Sequence, residues 1–120
     1  MQARSIGNLG EKEAEKYLKK CGYKILEKKY TSKFGEIDII AKDGEYLCFV
    51  EVRMRKNSDF GTPGETVTRQ KQTKIINTAK DYISKHNLDG YFRFDVVSIL
   101  GEEKGNKLNI KNMELIKNAF

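Results

Sequence analysis

The chain has no tryptophan, one proline, one histidine and two cysteines in 120 residues. Each scarcity removes a class of protein. Two thiols, Cys21 and Cys48, make no disulfide framework, so a reducing, cytoplasmic setting is expected. Cys48 lies in Leu47-Cys48-Phe49-Val50 and reads as a small buried hydrophobe. The lone His86, with cysteines far from it, argues against a zinc site and leaves no Cys–His pair for thiol catalysis. It falls at the end of a helical pattern, where capping is its ordinary role. No Walker-type or dinucleotide glycine pattern occurs, so no nucleotide cofactor is expected. No run approaches the length of a membrane span, and the N-terminus lacks the apolar segment of a secretory leader.

Charge is what the chain has in quantity. Lys and Arg number 23 against 17 Asp and Glu, giving a net charge of +6 and a pI near 9.3. Such a field draws in polyanions, though it serves solubility equally well. The length and the 38% apolar content fit one domain, 1–120, around one core.

Hydrophobic periodicity gives the element order. Ile6, Leu9, Ala14, Tyr17, Leu18 and Cys21 recur at helical spacing, which predicts a helix over 5–21 stopped by Gly22. Strands are expected over 23–30, 36–42 and 45–54. Asp43-Gly44 between the last two signals a two-residue hairpin turn. Thr62, Pro63 and Glu65 read as N-cap, first-turn proline and capping-box acid of a second helix. Its first turn is weakened by Gly64, so the regular part starts near Thr66 or Thr68. Strands over 91–100 and 108–116 follow, around a charged turn at 101–106. The fold class is therefore α/β, with a mixed sheet of about five strands flanked by helices, in the order α-β-β-β-α-β-β.

The hairpin predicts a cluster. A turn at Asp43-Gly44 sets Lys42 opposite Glu45, Ile40 opposite Leu47, Asp38 opposite Phe49 and Glu36 opposite Glu51. Glu36, Asp38, Glu51 and Arg53 then share one face. Asp38 and Glu51 are diagonal neighbours, roughly 7–8 Å apart. Glu51 sits in a run that reads as a buried central strand, where an unpaired carboxylate is costly. Something positive must compensate. One solution is Mg²⁺, which favours oxygen ligands. The other is an ion pair with Arg53, with Glu36 and Asp38 at a solvated strand end.

At these residues, Gly35-Glu36-Ile37-Asp38 followed by Phe49-Val50-Glu51-Val52-Arg53, the sequence resembles the PD-(D/E)xK nuclease superfamily. More narrowly it is similar to the YraN family of uncharacterised bacterial proteins, relatives of archaeal Holliday-junction resolvases. The likeness extends over nearly the whole chain. It takes in Gly7-Asn8-Leu9-Gly10-Glu11, Phe60-Gly61-Thr62-Pro63, Lys71-Gln72, Arg93-Phe94-Asp95-Val96 and Asn118-Ala119-Phe120. The resemblance implies a restriction-endonuclease-like core and Mg²⁺- or Mn²⁺-assisted hydrolysis of phosphodiester bonds, in DNA that is branched or otherwise structured. Asp38 and Glu51 would be metal ligands, joined by the backbone carbonyl of Val52. Glu11 would be the helical glutamate beside the site. A homodimer is expected by analogy with relatives that cut two strands symmetrically.

One departure matters. The superfamily's lysine is Arg53 here. Arginine stays protonated and cannot act as a general base. It could still clamp a phosphate, and the same residue fits a module that binds nucleic acid without cutting it. Arg55, Lys56 and Lys71 are further candidates for phosphate contact, each with a plain solvated-surface alternative. Phe60 reads as a loop anchor or a base-stacking residue. Gln72 falls on an apolar helix face and should have a partner. Asp95, alternating with Phe94 and Val96, reads as a structural acid.

Overall fold

The computed structural model describes residues 3–55 and 67–120, with side chains from Leu9 onward except that of Glu103. Helix α1 spans Ala3–Lys20. Strands β1 (Lys24–Ser32), β2 (Gly35–Asp43) and β3 (Tyr46–Arg55) follow. Helix α2 (Arg69–Lys85) connects them to β4 (Tyr91–Lys104) and β5 (Lys107–Ile116). The five strands form one sheet in the order β1-β2-β3-β4-β5. Only the β3–β4 pair is parallel. A parallel pair cannot be closed by a hairpin, so the chain must cross over between them, and α2 lies in that crossover. The expected class and element order are those observed.

The sheet is covered on both faces. Ala14 and Leu18 of α1 pack on Ile39, Ala41, Cys48, Val50, Val97 and Ile99. Ile75, Ala79 and Tyr82 of α2 pack on Ile37, Ile40, Leu47, Phe49 and Val96. Each fully buried aliphatic chain contributes roughly 1.5–3 kcal/mol. This double burial explains why Leu47-Cys48-Phe49-Val50 reads as a continuous apolar run.

Two sequence expectations are corrected. The β2–β3 hairpin pairs Asp43 with Tyr46, Lys42 with Leu47 and Ile40 with Phe49. The loop is therefore Gly44-Glu45, one residue beyond the expected Asp43-Gly44. Asp43 stays in the strand because Arg93 and Lys117 hold its carboxylate at 2.7 and 3.1 Å. Gly44 supplies the left-handed φ of +60° at the first loop position. Second, β4 runs on to Lys104, and the β4–β5 turn is only Gly105-Asn106. The regular part of α2 begins where expected, with its N-cap at Thr68, whose Oγ1 accepts the Lys71 N–H at 3.1 Å. The expected cap at Thr62, Pro63 and Glu65, together with Phe60, lies outside the described residues.

Asp95 is structural, as its alternation suggests. It is fully buried on β4 and accepts hydrogen bonds from the Tyr23 hydroxyl (2.7 Å), the Arg93 guanidinium (2.9 and 3.0 Å) and the Asn118 N–H (2.9 Å). Burial, with the Asp95 carboxylate as its acceptor, drives the Tyr23 phenol far above its ordinary pKa. His86 caps α2 as expected, with Nδ1 3.0 Å from the Tyr82 carbonyl.

Replacing Asp95 with Ala leaves the Tyr23 phenol and the Asn118 N–H without their acceptor and takes from Arg93 one of its two carboxylate partners, Asp43 being the other. We expect a loss of about 3–5 kcal/mol in urea unfolding. Tyr23→Phe removes two hydrogen bonds, one donated to Asp95 and one accepted from Arg93 at 2.9 Å, and should cost about 1–3 kcal/mol. Equal losses from the two variants would contradict the arrangement.

Candidate functional site

The site forms where β2 leaves β3. Their ladder ends at Ile39–Val50. One step further along the same register, Asp38 comes level with Glu51, nearer than the diagonal placement expected. The side-chain alternation of β2 breaks across Asp38, since Ile37 joins the α2-side core and Ile39 the α1-side core. Val52 would lose its ladder acceptor there. Instead its N–H donates to Asp38 Oδ2 at 2.8 Å, so a side-chain oxygen stands in for a backbone carbonyl.

Glu51 lies on the α2 side of the sheet. Its side chain is 5% exposed, and Oε2 faces two cations, Arg53 Nη1 at 3.7 Å and Lys71 Nζ at 3.8 Å. Its other oxygen, Oε1, is buried without a hydrogen-bond partner among the described residues. Burial, then the neighbouring Asp38 charge, pushes the Glu51 carboxyl up to about 7. Asp38 is also raised, chiefly by burial, and the Val52 N–H works against that rise. A buried acid level with a half-buried one is costly to ionise without a compensating charge.

The other candidates fall into place around this pair. Glu11 of α1 is half-buried, with Lys29 Nζ 3.8 Å from Oε1. Its carboxyl is raised by burial and then by the charge of Asp38, which puts it within electrostatic range of the pair. Glu36 does not face Glu51 as expected. It is exposed, pairs across the other edge of β2 with Thr31, and accepts from that hydroxyl at 3.4 Å. Arg55 ends β3, and Lys56 lies outside the described residues. Gln72 finds the partner it needs, donating to the Val67 carbonyl at 3.0 Å.

Thr68, at the expected start of α2, fixes its first turn and thereby Lys71. One contributor escapes sequence reasoning: Lys29, beside Glu11, has no local signal because a turn of helix and a strand meet only in the fold.

The donor set suits a small hard cation. Oxygen atoms alone are offered, one of them unpartnered, and Mg²⁺ typically takes one or two protein carboxylates and keeps its waters. Among the described residues no three His, Cys, Asp or Glu side chains cluster closely enough to cage a metal. Asp38 and Glu51 are thus the two carboxylates that this part of the sheet brings together.

A mixed α/β sheet that buries a carboxylate pair where two strands part is the structural class of this protein. The chain belongs to the uncharacterised protein family UPF0102, whose family model matches residues 10–99. This is the family also called YraN. The chain is 45% identical over 119 residues to a UPF0102 protein of Clostridium botulinum (strain Kyoto / Type A2), covering 98% of this chain and 94% of that one. A UPF0102 protein of Clostridium tetani is 46% identical over 118 residues with the same coverage. One from Acetivibrio thermocellus is 42% identical over 119 residues, covering 98% and 92%.

The pH dependence of stability has a definite sign. A carboxyl raised in the folded state binds protons more tightly than its unfolded counterpart, so stability falls as pH rises from the ordinary glutamate value toward 7. Glu51→Gln removes that penalty. In chelator, the variant should be more stable than the parent by about 2 kcal/mol at pH 8, with the gap closing toward pH 5. Thermal melts at both pH values measure it. A variant less stable at pH 8 would refute the assignment.

Proposed function

We propose that this protein is a Mg²⁺-dependent nuclease-like domain that hydrolyses phosphodiester bonds in DNA of branched or otherwise structured form. The observation that carries the reading is buried Glu51 level with half-buried Asp38, with Glu51 Oε1 lacking a hydrogen-bond partner among the described residues. A divalent cation there would acidify and orient a water and neutralise charge growing on the phosphate. The chain's own residues do the rest. Asp38 and Glu51 would hold the cation, with the Val52 carbonyl. Val52 N–H fixes the Asp38 carboxylate in place. Arg53 is suited to a two-pronged hold on a phosphate. Glu11 would orient water on the α1 side. Arg55, Lys56 and Lys71 would contact the phosphate backbone, and the net charge of +6 speeds encounter with a polyanion. A cytoplasmic homodimer, presenting two sites to two strands, belongs to the same reading. No helix among the described residues is long and apolar enough to cross a membrane.

A second reading is a module that binds nucleic acid without cutting it. The residue that favours it is Arg53, which cannot give up a proton to activate water.

Purified protein incubated with branched, single-stranded and duplex DNA and Mg²⁺ or Mn²⁺ tests the first reading. Asp38→Ala and Glu51→Ala should each lower cleavage by about 100-fold or more. Cleavage indifferent to both substitutions would overturn it. Salt-sensitive binding with no cutting, converted to cutting by Arg53→Lys, would establish the second.

A further inference from the structure

We propose that Lys71 is an exchangeable counterion of Glu51, which a divalent cation releases toward a phosphate of the nucleic acid. This deepens the reading above and rests on it.

The argument begins with an imbalance of charge. Glu51 Oε2 has two cationic neighbours and Oε1 has no hydrogen-bond partner among the described residues. The two cations reach Oε2 differently. Arg53 belongs to the same strand, two positions along, on the same face, so its backbone keeps it beside Glu51, although its Nη1, at 3.7 Å, is likewise beyond hydrogen-bond distance. Lys71 comes from another element. Its backbone is fixed, because its N–H is held by the Thr68 cap at the start of α2. Its ammonium is not fixed in the same way. The side chain is 44% exposed, and the Nζ–Oε2 separation of 3.8 Å is an ion pair without a hydrogen bond. A compact ammonium on a four-carbon stem can swing without moving the helix.

A cation held by Glu51 and Asp38 carries two positive charges and repels a third cation at this distance. Lys71 then loses its attraction to Glu51. Its anchor remains in the first turn of α2, a terminus that itself favours anions. The ammonium is left at the mouth of the site, where a phosphate oxygen is the ligand of matching charge. Lys71 therefore stabilises the carboxylates before the cation arrives and binds the phosphate after it. The arrangement supplies a lysine at the site from α2, although β3 offers arginine.

A merely structural lysine would not behave this way. Calorimetric titration of the full chain with Mn²⁺ is the first test, with circular dichroism to confirm folding. Lys71→Met removes the competitor, so Mn²⁺ should bind about 3- to 10-fold more tightly than to the parent. Lys71→Arg, which keeps the charge, should restore the parental affinity. The second test is fluorescence anisotropy of a short labelled duplex in Ca²⁺. Lys71→Met should weaken binding about tenfold and reduce the slope of log affinity against log salt by about one. Mn²⁺ affinity unchanged or weakened in Lys71→Met, or an unchanged salt slope, would overturn the exchange while leaving the metal site intact. A parent chain that binds no Mn²⁺ would overturn the metal site and the exchange with it.

Discussion

The burial of one carboxyl beside another governs this molecule. Glu51 occupies the central strand of a sheet covered on both faces, a position where aliphatic residues are the stable choice. Every feature of the site compensates for it. The proton is held up to about 7, two cations converge on Oε2, and the β2–β3 ladder ends beside it. A sheet optimised for stability alone would carry an apolar residue here. Retaining the acid fits a site that holds charge ready for a cation.

Much of this was legible in the sequence, and the reasons are local. Helical spacing of Leu9, Ala14 and Leu18 marked α1, and the uninterrupted run Leu47-Cys48-Phe49-Val50 marked a strand buried on both faces. Side-chain parity along β2 and β3 placed Asp38, Glu51 and Arg53 together. The hairpin register was misread by one loop residue because Asp-Gly is a strong turn signal. What overrides it is long-range, since Arg93 and Lys117, far along the chain, pull Asp43 into the strand. The error moved Asp38 from diagonal to level with Glu51 but kept its face, because sliding the loop by one residue changes both strands together.

Glu36 shows the limit of parity reasoning. An alternating pattern assumes the ladder continues, and here it stops at Ile39–Val50. Beyond that point Glu36 belongs to the β1–β2 edge and is solvated. The break at Asp38 is invisible to a periodicity argument, yet it frees the carboxylate to accept a backbone N–H. Glu11 and Lys71 come from α1 and α2, so only the packing of both helices sets their distance from the hairpin.

The hydrogen bonds of Asp95 set a constraint on the order of events in synthesis. Its acceptor sites are completed by the Asn118 N–H, 23 positions downstream. The next residue, Ala119, donates to the Phe94 carbonyl at 2.7 Å, and the Phe120 ring stacks on Phe94 at 5.2 Å. β4 is therefore fully tied down only once residues 118–120 have been made. Until then a buried acid in the sheet lacks one of its donors. Chains cut short before Asn118 would carry that defect permanently, and Phe94 would lack its stacking partner.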